Sequence, residues 1–324
     1  MKFEFPNAQP FPTHRAPWAK FLPVAISAGL LAWLVWRVRP VDLQAAAAQL
    51  DWSLLLPLTA LLVFALYSWD AFCLRWLFGT SNHPVTYSTA IHSRGTSYLV
   101  GAFNYELGQG VVAWMMSRAQ GISLLSGLGR CALLTFHDIS VLLGLGLLAS
   151  LASTDPRVSS VRVFCAAALA GVMGIGIGLS LIPGRWRTRL HETRWGAWIG
   201  TWSWTQSAKL YLLRGAYYAI ILAYAAAALH VAGVRMGLST VCSVIPLVLL
   251  ADGLPISISG LGTRETTLLY LLQPDQPAVV LAFSLIWSVG LMIGRLGIGL
   301  GHLWIPRWAS YLSSRGTRLG NGVL

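Results

Sequence analysis

The sequence predicts an all-α polytopic membrane protein, and three observations support that prediction. Of its 324 residues, 56% are hydrophobic and 10% are charged, whereas soluble domains contain about 25% charged residues. Six apolar stretches are long enough to cross a bilayer as helices, which takes about 20 residues. Two further segments are semi-apolar and are interrupted near their middle by glycine, proline or charge. We expect six full transmembrane helices plus two re-entrant helical hairpins in an inverted-repeat arrangement.

The formal net charge of +12 does not indicate a nucleic-acid partner, because the basic residues are scattered among apolar stretches rather than gathered on a polar face. Positive-inside topology and an affinity for anionic lipid explain the charge better. The four cysteines lie singly within apolar stretches. We therefore expect no disulfide framework, metal site or cofactor.

The predicted spans follow one another along the chain, and they cover residues 18–36, 53–78, 128–151, 161–182, 208–232 and 279–303. The first is interpreted as a retained anchor helix, because it is long for a signal-peptide core and Arg37 and Arg39 follow it directly. Short polar turns are predicted at residues 37–52, 152–160 and 183–195. No other stretch is long enough for a soluble catalytic domain, so residues 1–324 are expected to form a single integral membrane domain.

The placement of arginine sets the predicted topology. Residues 183–195 carry four arginines, which assigns this turn and both termini to the cytoplasmic side. Counting spans from there, residues 79–127 begin and end inside, and residues 233–278 begin and end outside. A single crossing cannot do this, so we predict a re-entrant hairpin in each segment. A pair of short, tilted full crossings would give the same parity.

The two hairpins resemble each other in sequence. The first contains FNYELGQGVVAWMM, with Gly108 and Gly110 at its predicted break, and the second contains LPISISGLGTRETTLL, with Gly260 and Gly262 at its break. Interrupted hydrophobic segments at matching positions of two halves mark the midplane binding site of many transporters. The pattern therefore predicts an inverted repeat with a transport site between the hairpins.

The second hairpin has the composition of an anion site. A helix is predicted to begin near Thr263, and the free N–H groups of a helix start carry partial positive charge. The residues that we assign to this phosphate cradle are Ser257, Ser259, Gly260, Gly262 and Arg264.

Arg264 and Glu265 are adjacent, so on a helix they point about 100° apart and need separate partners. An unpaired charge at the bilayer centre costs about 2.5–3.5 kcal/mol. Partners available elsewhere in apolar segments are Asp252, Glu106, Arg94 and Asp138. Two interpretations remain open: a closed network of internal ion pairs, or at least one charge that meets a substrate or a coupling ion.

In the first hairpin, Glu106 lies beside Asn104 at the break, where a carboxylate would bind a cationic headgroup or a proton. The alternative is an acid that only interacts with the free N–H groups of a helix start. Four further residues are assigned supporting roles, namely Arg94, Arg118, Arg130 and Asp138. Asp70 and Arg295 are interpreted as solitary structural or interfacial charges. Lys209 and Arg214 are predicted to reach lipid phosphates at a helix end.

Enzyme motifs are scarce. The sequence contains no GxSxG, no Walker-type phosphate loop and no CxxC. His191-Glu192 is followed by Trp195, where the HExxH pattern requires a second histidine. We therefore expect that the protein is not an enzyme and assign no catalytic residue.

The segment LPISISGLGTRE (254–265) resembles the P-x-S-x-x-G-L-G-x-R-E signature of the lysylphosphatidylglycerol synthase transmembrane-region family. The first hairpin is similar through Asn104, Gly108, Gly110 and Arg118. It departs from the family pattern at Gln109-Gly110, where the family has a Gly-Glu pair, and it lacks the family's proline. Upstream of Asp138, Leu134-Thr135 replaces the family's Glu-Arg pair.

The resemblance implies a multi-pass protein of the bacterial cytoplasmic membrane that moves a phospholipid or another lipid-linked headgroup between leaflets. The expected mechanism is alternating access about the two hairpins, with the phosphate at Gly260–Arg264, a cationic group or proton at Glu106 and Glu265, and the acyl chains left in the bilayer. Expected partners are anionic lipids, a second copy of the chain or an envelope-biosynthesis enzyme. Two alternatives remain: a membrane enzyme acting on a lipid-linked phosphate, and a non-transporting partner of an envelope-lipid enzyme.

Overall fold

A computed structural model describes residues 22–79, 84–180, 204–254, 257 and 260–304, and these residues form α-helices, one 3-10 turn and connecting loops, with no strand. In the first half the helices are α1 (Leu22–Val38), α2 (Pro40–Gln49), α3 (Trp52–Phe78), α4 (Tyr87–Gly101), α5 (Tyr105–Gln120) and α6 (Leu124–Leu151). In the second half they are α7 (Ser159–Ser180), α8 (Trp204–Val231), α9 (Leu238–Asp252), α10 (Thr263–Leu272) and α11 (Pro277–Leu303).

Five of these helices, α3, α6, α7, α8 and α11, are long and apolar enough to cross a membrane. The pair α1 and α2, bent by 85°, would bring the number to 6 if it acts as one span. The protein is therefore a multi-pass helical membrane protein, as predicted. Each of the long helices coincides with a predicted span and differs from it by only a few residues at the ends.

One predicted turn is wrong. Within residues 37–52 the chain forms α2, because Pro40 opens it at the first helical position, Asp42 lies in its first turn, and a run of four alanines follows. Arg39 connects α1 to α2 with a φ of 66°, which turns the chain sharply. The turn predicted at residues 152–160 contains a 3-10 turn (Pro156–Val158). The turn at residues 183–195 lies outside the described residues.

Two pairs of short helices occupy the segments predicted as hairpins. The pair α4 and α5 has 15 and 16 residues, and the pair α9 and α10 has 15 and 10. Each is shorter than the roughly 20 residues of a full crossing. Both pairs pack against α6, which contacts α5 of the first pair and α9 of the second.

The break in the first pair lies earlier than predicted. It falls at residues 102–104, and Gly108 and Gly110 are inside α5. Asn104 starts α5 by accepting a hydrogen bond from the N–H of Leu107 at 3.0 Å. Gly108 serves packing instead, since a Cβ there would lie 2.7 Å from the Cα of Gly101.

The break in the second pair agrees with the prediction. Gly260 and Gly262 adopt φ angles of 76° and 90°, a region that favours glycine, and α10 begins at Thr263. A Cβ on Gly262 would lie 2.8 Å from the Cβ of Leu30, so α1 packs directly against this break.

Candidate functional site

A cavity of about 900 Å³ lies between the two short helix pairs and the long helices around them. Most of its lining is apolar, but a group of charged side chains faces it. These are Arg94, Glu106, Asp138, Arg214, Asp252, Arg264 and Arg295. A cavity that combines an apolar wall with several charges suits a ligand that has both a polar and an apolar part.

The apolar wall includes one face of α7. Ser160, Phe164, Ala168 and Val172 line the cavity at four-residue spacing, which is the spacing of one helix face. Most other side chains of α7 are exposed on the surface of the protein. Helix α7 therefore separates the cavity from the space outside, where the bilayer would lie.

Four charged side chains form a network beside the cavity. The carboxylate of Asp70 on α3 pairs with Arg94 of α4 and, at 2.8 Å, with the Nη1 of Arg214 on α8. The Nε of Arg214 donates to Asp138 of α6. All four residues are buried, and two arginines balance two aspartates. The network joins four helices without a net charge.

This network corrects two predictions. Arg214 does not reach lipid phosphates, because its guanidinium is buried between Asp70 and Asp138 and lies 4.0 Å from the ring centroid of Tyr217. Asp70 is not solitary, because it accepts two arginines. The sequence contained a usable signal: two acidic and two basic residues lie within otherwise apolar helices, and each lowers the burial cost of the others.

Arg264 pairs with Asp252 across the break between α9 and α10. Its Nη1 also donates to the Oγ of Ser288 on α11 at 3.2 Å, and its Cζ lies 5.0 Å from the ring centroid of Trp287. Gly260 allows this pair to form, since a Cβ on that residue would lie 1.2 Å from the Oδ1 of Asp252. Arg264 and Asp252 both line the cavity.

Glu265 is fully buried and faces away from the cavity lining. Its Oε2 accepts the N–H of Gly262 at 2.6 Å, and its Oε1 accepts the hydroxyls of Ser288 at 2.6 Å and Ser284 at 3.3 Å. Arg264 and Glu265 thus take separate partners, as the helix geometry predicted, with Ser288 bonded to both. The carboxylate fixes the start of α10 against α11.

The predicted phosphate cradle at the start of α10 makes internal bonds. The N–H of Gly262 donates to Glu265, and the N–H of Arg264 donates to the carbonyl of Gly260 at 2.9 Å. The hydroxyls of Ser257 and Thr263 bond to each other at 2.8 Å, and Ser257 is buried. Ser259 lies outside the described residues. Of the residues assigned to the cradle, Arg264 lines the cavity.

At the start of α5, Asn104 and Glu106 have different surroundings. Asn104 caps the helix and does not line the cavity, whereas Glu106 is exposed and lines it. No arginine, lysine or histidine of the described chain lies within ion-pair distance of Glu106. Its carboxylate is available to a cationic group in the cavity.

Two of the supporting residues lie away from the cavity. Arg118 is exposed in the last turn of α5, with its Cζ 5.4 Å from the ring centroid of Trp114. Arg130 donates to the carbonyls of Leu77 and Phe78, which closes the end of α3. The other two, Arg94 and Asp138, belong to the buried network and line the cavity.

Arg295 is a cavity residue that the sequence reasoning placed elsewhere. It was interpreted as a structural or interfacial charge, yet it lines the cavity together with Trp287 and Leu291 of the same helix. These three residues are four positions apart and therefore share one face of α11. That face becomes recognisable only when the cavity is known.

Among the described residues, no group of three His, Cys, Asp or Glu side chains is placed to hold a metal ion. Comparison with curated proteins finds no match. Residues 20–299 match the family described as the lysylphosphatidylglycerol synthase TM region. This match covers most of the chain, including every residue that lines the cavity. The protein therefore belongs to the lysylphosphatidylglycerol synthase transmembrane-region family, a membrane family linked to lipid.

Proposed function

We propose that the protein is a lipid flippase, which moves a phospholipid or another lipid-linked headgroup between leaflets through the cavity. The observation that carries the proposal is the cavity itself: it is lined by both short helix pairs, is large, mostly apolar and contains several charges within membrane-spanning helices. A headgroup needs polar contacts at a depth where the bilayer offers none. The family assignment to a lipid-related membrane region agrees with this function.

The charge balance of the cavity wall supports passage rather than tight capture. Arg94, Arg214 and Arg264 are each paired with an aspartate. Paired charges present dipoles and hydrogen-bonding groups without a strong net field. Transport requires a site that is favourable enough to enter and weak enough to leave, and a wall in which most of the charges are paired meets this requirement.

We further propose that the two helix pairs are re-entrant hairpins and that alternating access occurs about their breaks. Each of their helices is short for a crossing, and the second break contains two glycines with positive φ. The Arg264–Asp252 pair joins the two sides of that break. Movement at the break would therefore change the polar surface that a headgroup meets. In this scheme both termini are cytoplasmic and the protein resides in the bacterial inner membrane.

Two adjacent alanines on α7 offer a matched test. Ala168 lines the cavity, whereas Ala167 is exposed on the outer surface. The full chain would be reconstituted in liposomes, and the translocation of a fluorescent phospholipid would be followed by chemical quenching of the outer leaflet. We expect Ala168→Trp to slow translocation at least about tenfold, because the indole fills part of the path, and Ala167→Trp to leave the rate unchanged.

Equal rates for the wild type and Ala168→Trp would contradict a route through the cavity, and a wild-type rate equal to that of empty liposomes would contradict the flippase proposal. The same proteins in detergent distinguish the alternative class. A membrane enzyme acting on a lipid-linked phosphate would form product there, although no second leaflet exists. A flippase would not change the lipid chemically.

A further inference from the structure

The arginines that line the cavity fall into two sets. Arg94, Arg214 and Arg264 each pair with an aspartate. Arg295 does not, since no carboxylate of the described residues lies within 4.0 Å of its guanidinium. Its side chain also makes no hydrogen bond with the described residues. Arg295 thus contributes a full positive charge to the cavity.

The position of Arg295 makes that charge costly without a ligand. It lies on α11, eight residues before the end at Leu303, so at 1.5 Å per residue it is about 12 Å inside the helix. The residue is partly exposed towards the cavity rather than buried in protein. A cation at this depth is stabilised by water or by an anion, because lipid tails offer it no partner.

The ring of Tyr98 holds Arg295 without neutralising it. Its Cζ lies 5.8 Å from the ring centroid of Tyr98, and the Cζ of Arg94 lies 5.2 Å from the same ring. A cation–π contact restrains the direction of the guanidinium but leaves its N–H donors free. These donors form a planar fork that fits two oxygens of a phosphate.

We propose that Arg295 is the residue of this cavity that binds the phosphate of a lipid headgroup, while Arg264 holds the second helix pair closed through Asp252. The inference rests on the proposed function and adds to it the residue that recognises the phosphate of the headgroup. Arg264 is unsuited to this role because its guanidinium already pairs with Asp252 and bonds to Ser288. The start of α10 is unsuited because Glu265 occupies the N–H of Gly262.

Binding is measured in detergent on the full-length protein, so that the result does not depend on transport. The probes are dioctanoyl phosphatidylglycerol and dioctanoylglycerol, which share their acyl chains and differ by the phosphoglycerol group, together with glycerol phosphate, which has no chains. We expect the wild type to prefer phosphatidylglycerol over dioctanoylglycerol. Arg295→Gln should weaken phosphatidylglycerol about tenfold, as loss of one charge-assisted contact implies, and leave dioctanoylglycerol unchanged.

Arg75→Gln is the matched control, because it removes one positive charge from an exposed arginine in the last turn of α3, outside the cavity. It should bind all probes as the wild type does. Arg295→Lys, which keeps the charge, should retain the preference for phosphatidylglycerol. Because Arg295 leaves no ion-pair partner behind among the described residues, neither substitution at this position should lower the thermal unfolding temperature.

The proposal is overturned if Arg295→Gln keeps the wild-type preference, if Arg75→Gln loses it equally, or if glycerol phosphate binds as tightly as the lipid. The last outcome would identify a soluble phosphate ligand. The flippase proposal fails separately. If the wild type binds phosphatidylglycerol through Arg295 but moves no lipid, the flippase proposal is contradicted and the binding site stands. If Arg295→Gln loses its preference for phosphatidylglycerol but moves lipid at the wild-type rate, Arg295 binds the headgroup but is not needed for transport.

Discussion

Arg264 and Asp252 form an ion pair across the break between α9 and α10, and both side chains line the cavity. The pair connects the end of one short helix to the first turn of the next. The chain between them contains Gly260 and Gly262, whose positive φ angles allow the two ends to approach. The two residues thus fix the shape of the break as well as the polarity of the cavity.

Removing one member of this pair should destabilise the protein more than removing both. Asp252→Asn leaves the buried guanidinium of Arg264 without a counter-charge, which should cost about 3 kcal/mol, whereas Asp252→Asn with Arg264→Gln leaves no charge behind. The unfolding temperature is measured in detergent for the wild type, both single variants and the double variant. The difference between the effect of the double change and the sum of the two single effects gives the interaction between Asp252 and Arg264. Additive effects of the two single changes would show that the pair is not formed.

Arg264→Ala is expected to abolish lipid translocation in proteoliposomes while the protein remains folded. Its loss removes the contact that closes the second break and one of the two polar partners of Ser288. The translocation rate is measured in proteoliposomes, and the size-exclusion profile of the purified variant shows whether it remains folded. A folded variant that moves lipid at the wild-type rate would contradict a role for the second helix pair in transport.

Gly108 and Gly110 offer a test of how α4 and α5 pack. A Cβ on Gly108 would lie 2.7 Å from the Cα of Gly101, whereas a Cβ on Gly110 would meet nothing within 4 Å. Gly108→Ala should therefore lower the unfolding temperature, because two backbones would have to separate. Gly110→Ala should be neutral or stabilising by up to about 1 kcal/mol, since alanine favours helix. Equal effects would contradict the close approach of α4 and α5.

The same substitution, glutamate to glutamine, should lower the stability of the protein at Glu265 and leave it nearly unchanged at Glu106. Gly262, Ser284 and Ser288 all donate hydrogen bonds to the carboxylate of Glu265. Glu265→Gln replaces one of the two accepting oxygens by an NH2 group, which cannot accept, and should therefore cost about 1–3 kcal/mol of stability. Glu106→Gln should change stability by less than about 0.5 kcal/mol, since the side chain is exposed.

For Glu106→Gln we expect a change in translocation instead. The carboxylate lines the cavity without a basic partner in the described chain, so its charge is available to the headgroup. The rate for a lipid with a cationic group should fall relative to that for an anionic lipid. If Glu106→Gln moved both lipids at wild-type rates, Glu106 would have no role in the passage of the headgroup.

The sequence and the structure agree best where local patterns determine the result. Composition and apolar length identified the long helices, and the two glycines before Thr263 identified the start of α10. They agree less where distant residues meet. Arg214 was predicted at a lipid surface, but Asp70 and Asp138 come from helices far away in the chain and bury it. No local pattern contains that information.

The sequence by itself determined that this is a multi-pass helical membrane protein of a lipid-related family, because hydrophobic length and the LPISISGLGTRE segment are properties of contiguous residues. Only the tertiary structure decided which charges are neutralised and which remain free. Among the described residues, Arg94, Arg214 and Arg264 are paired and Arg295 is not, since ion pairing depends on distances of a few ångströms between side chains of different helices. That difference, invisible in the sequence, is the basis on which we propose Arg295 as the anion-binding residue of the cavity.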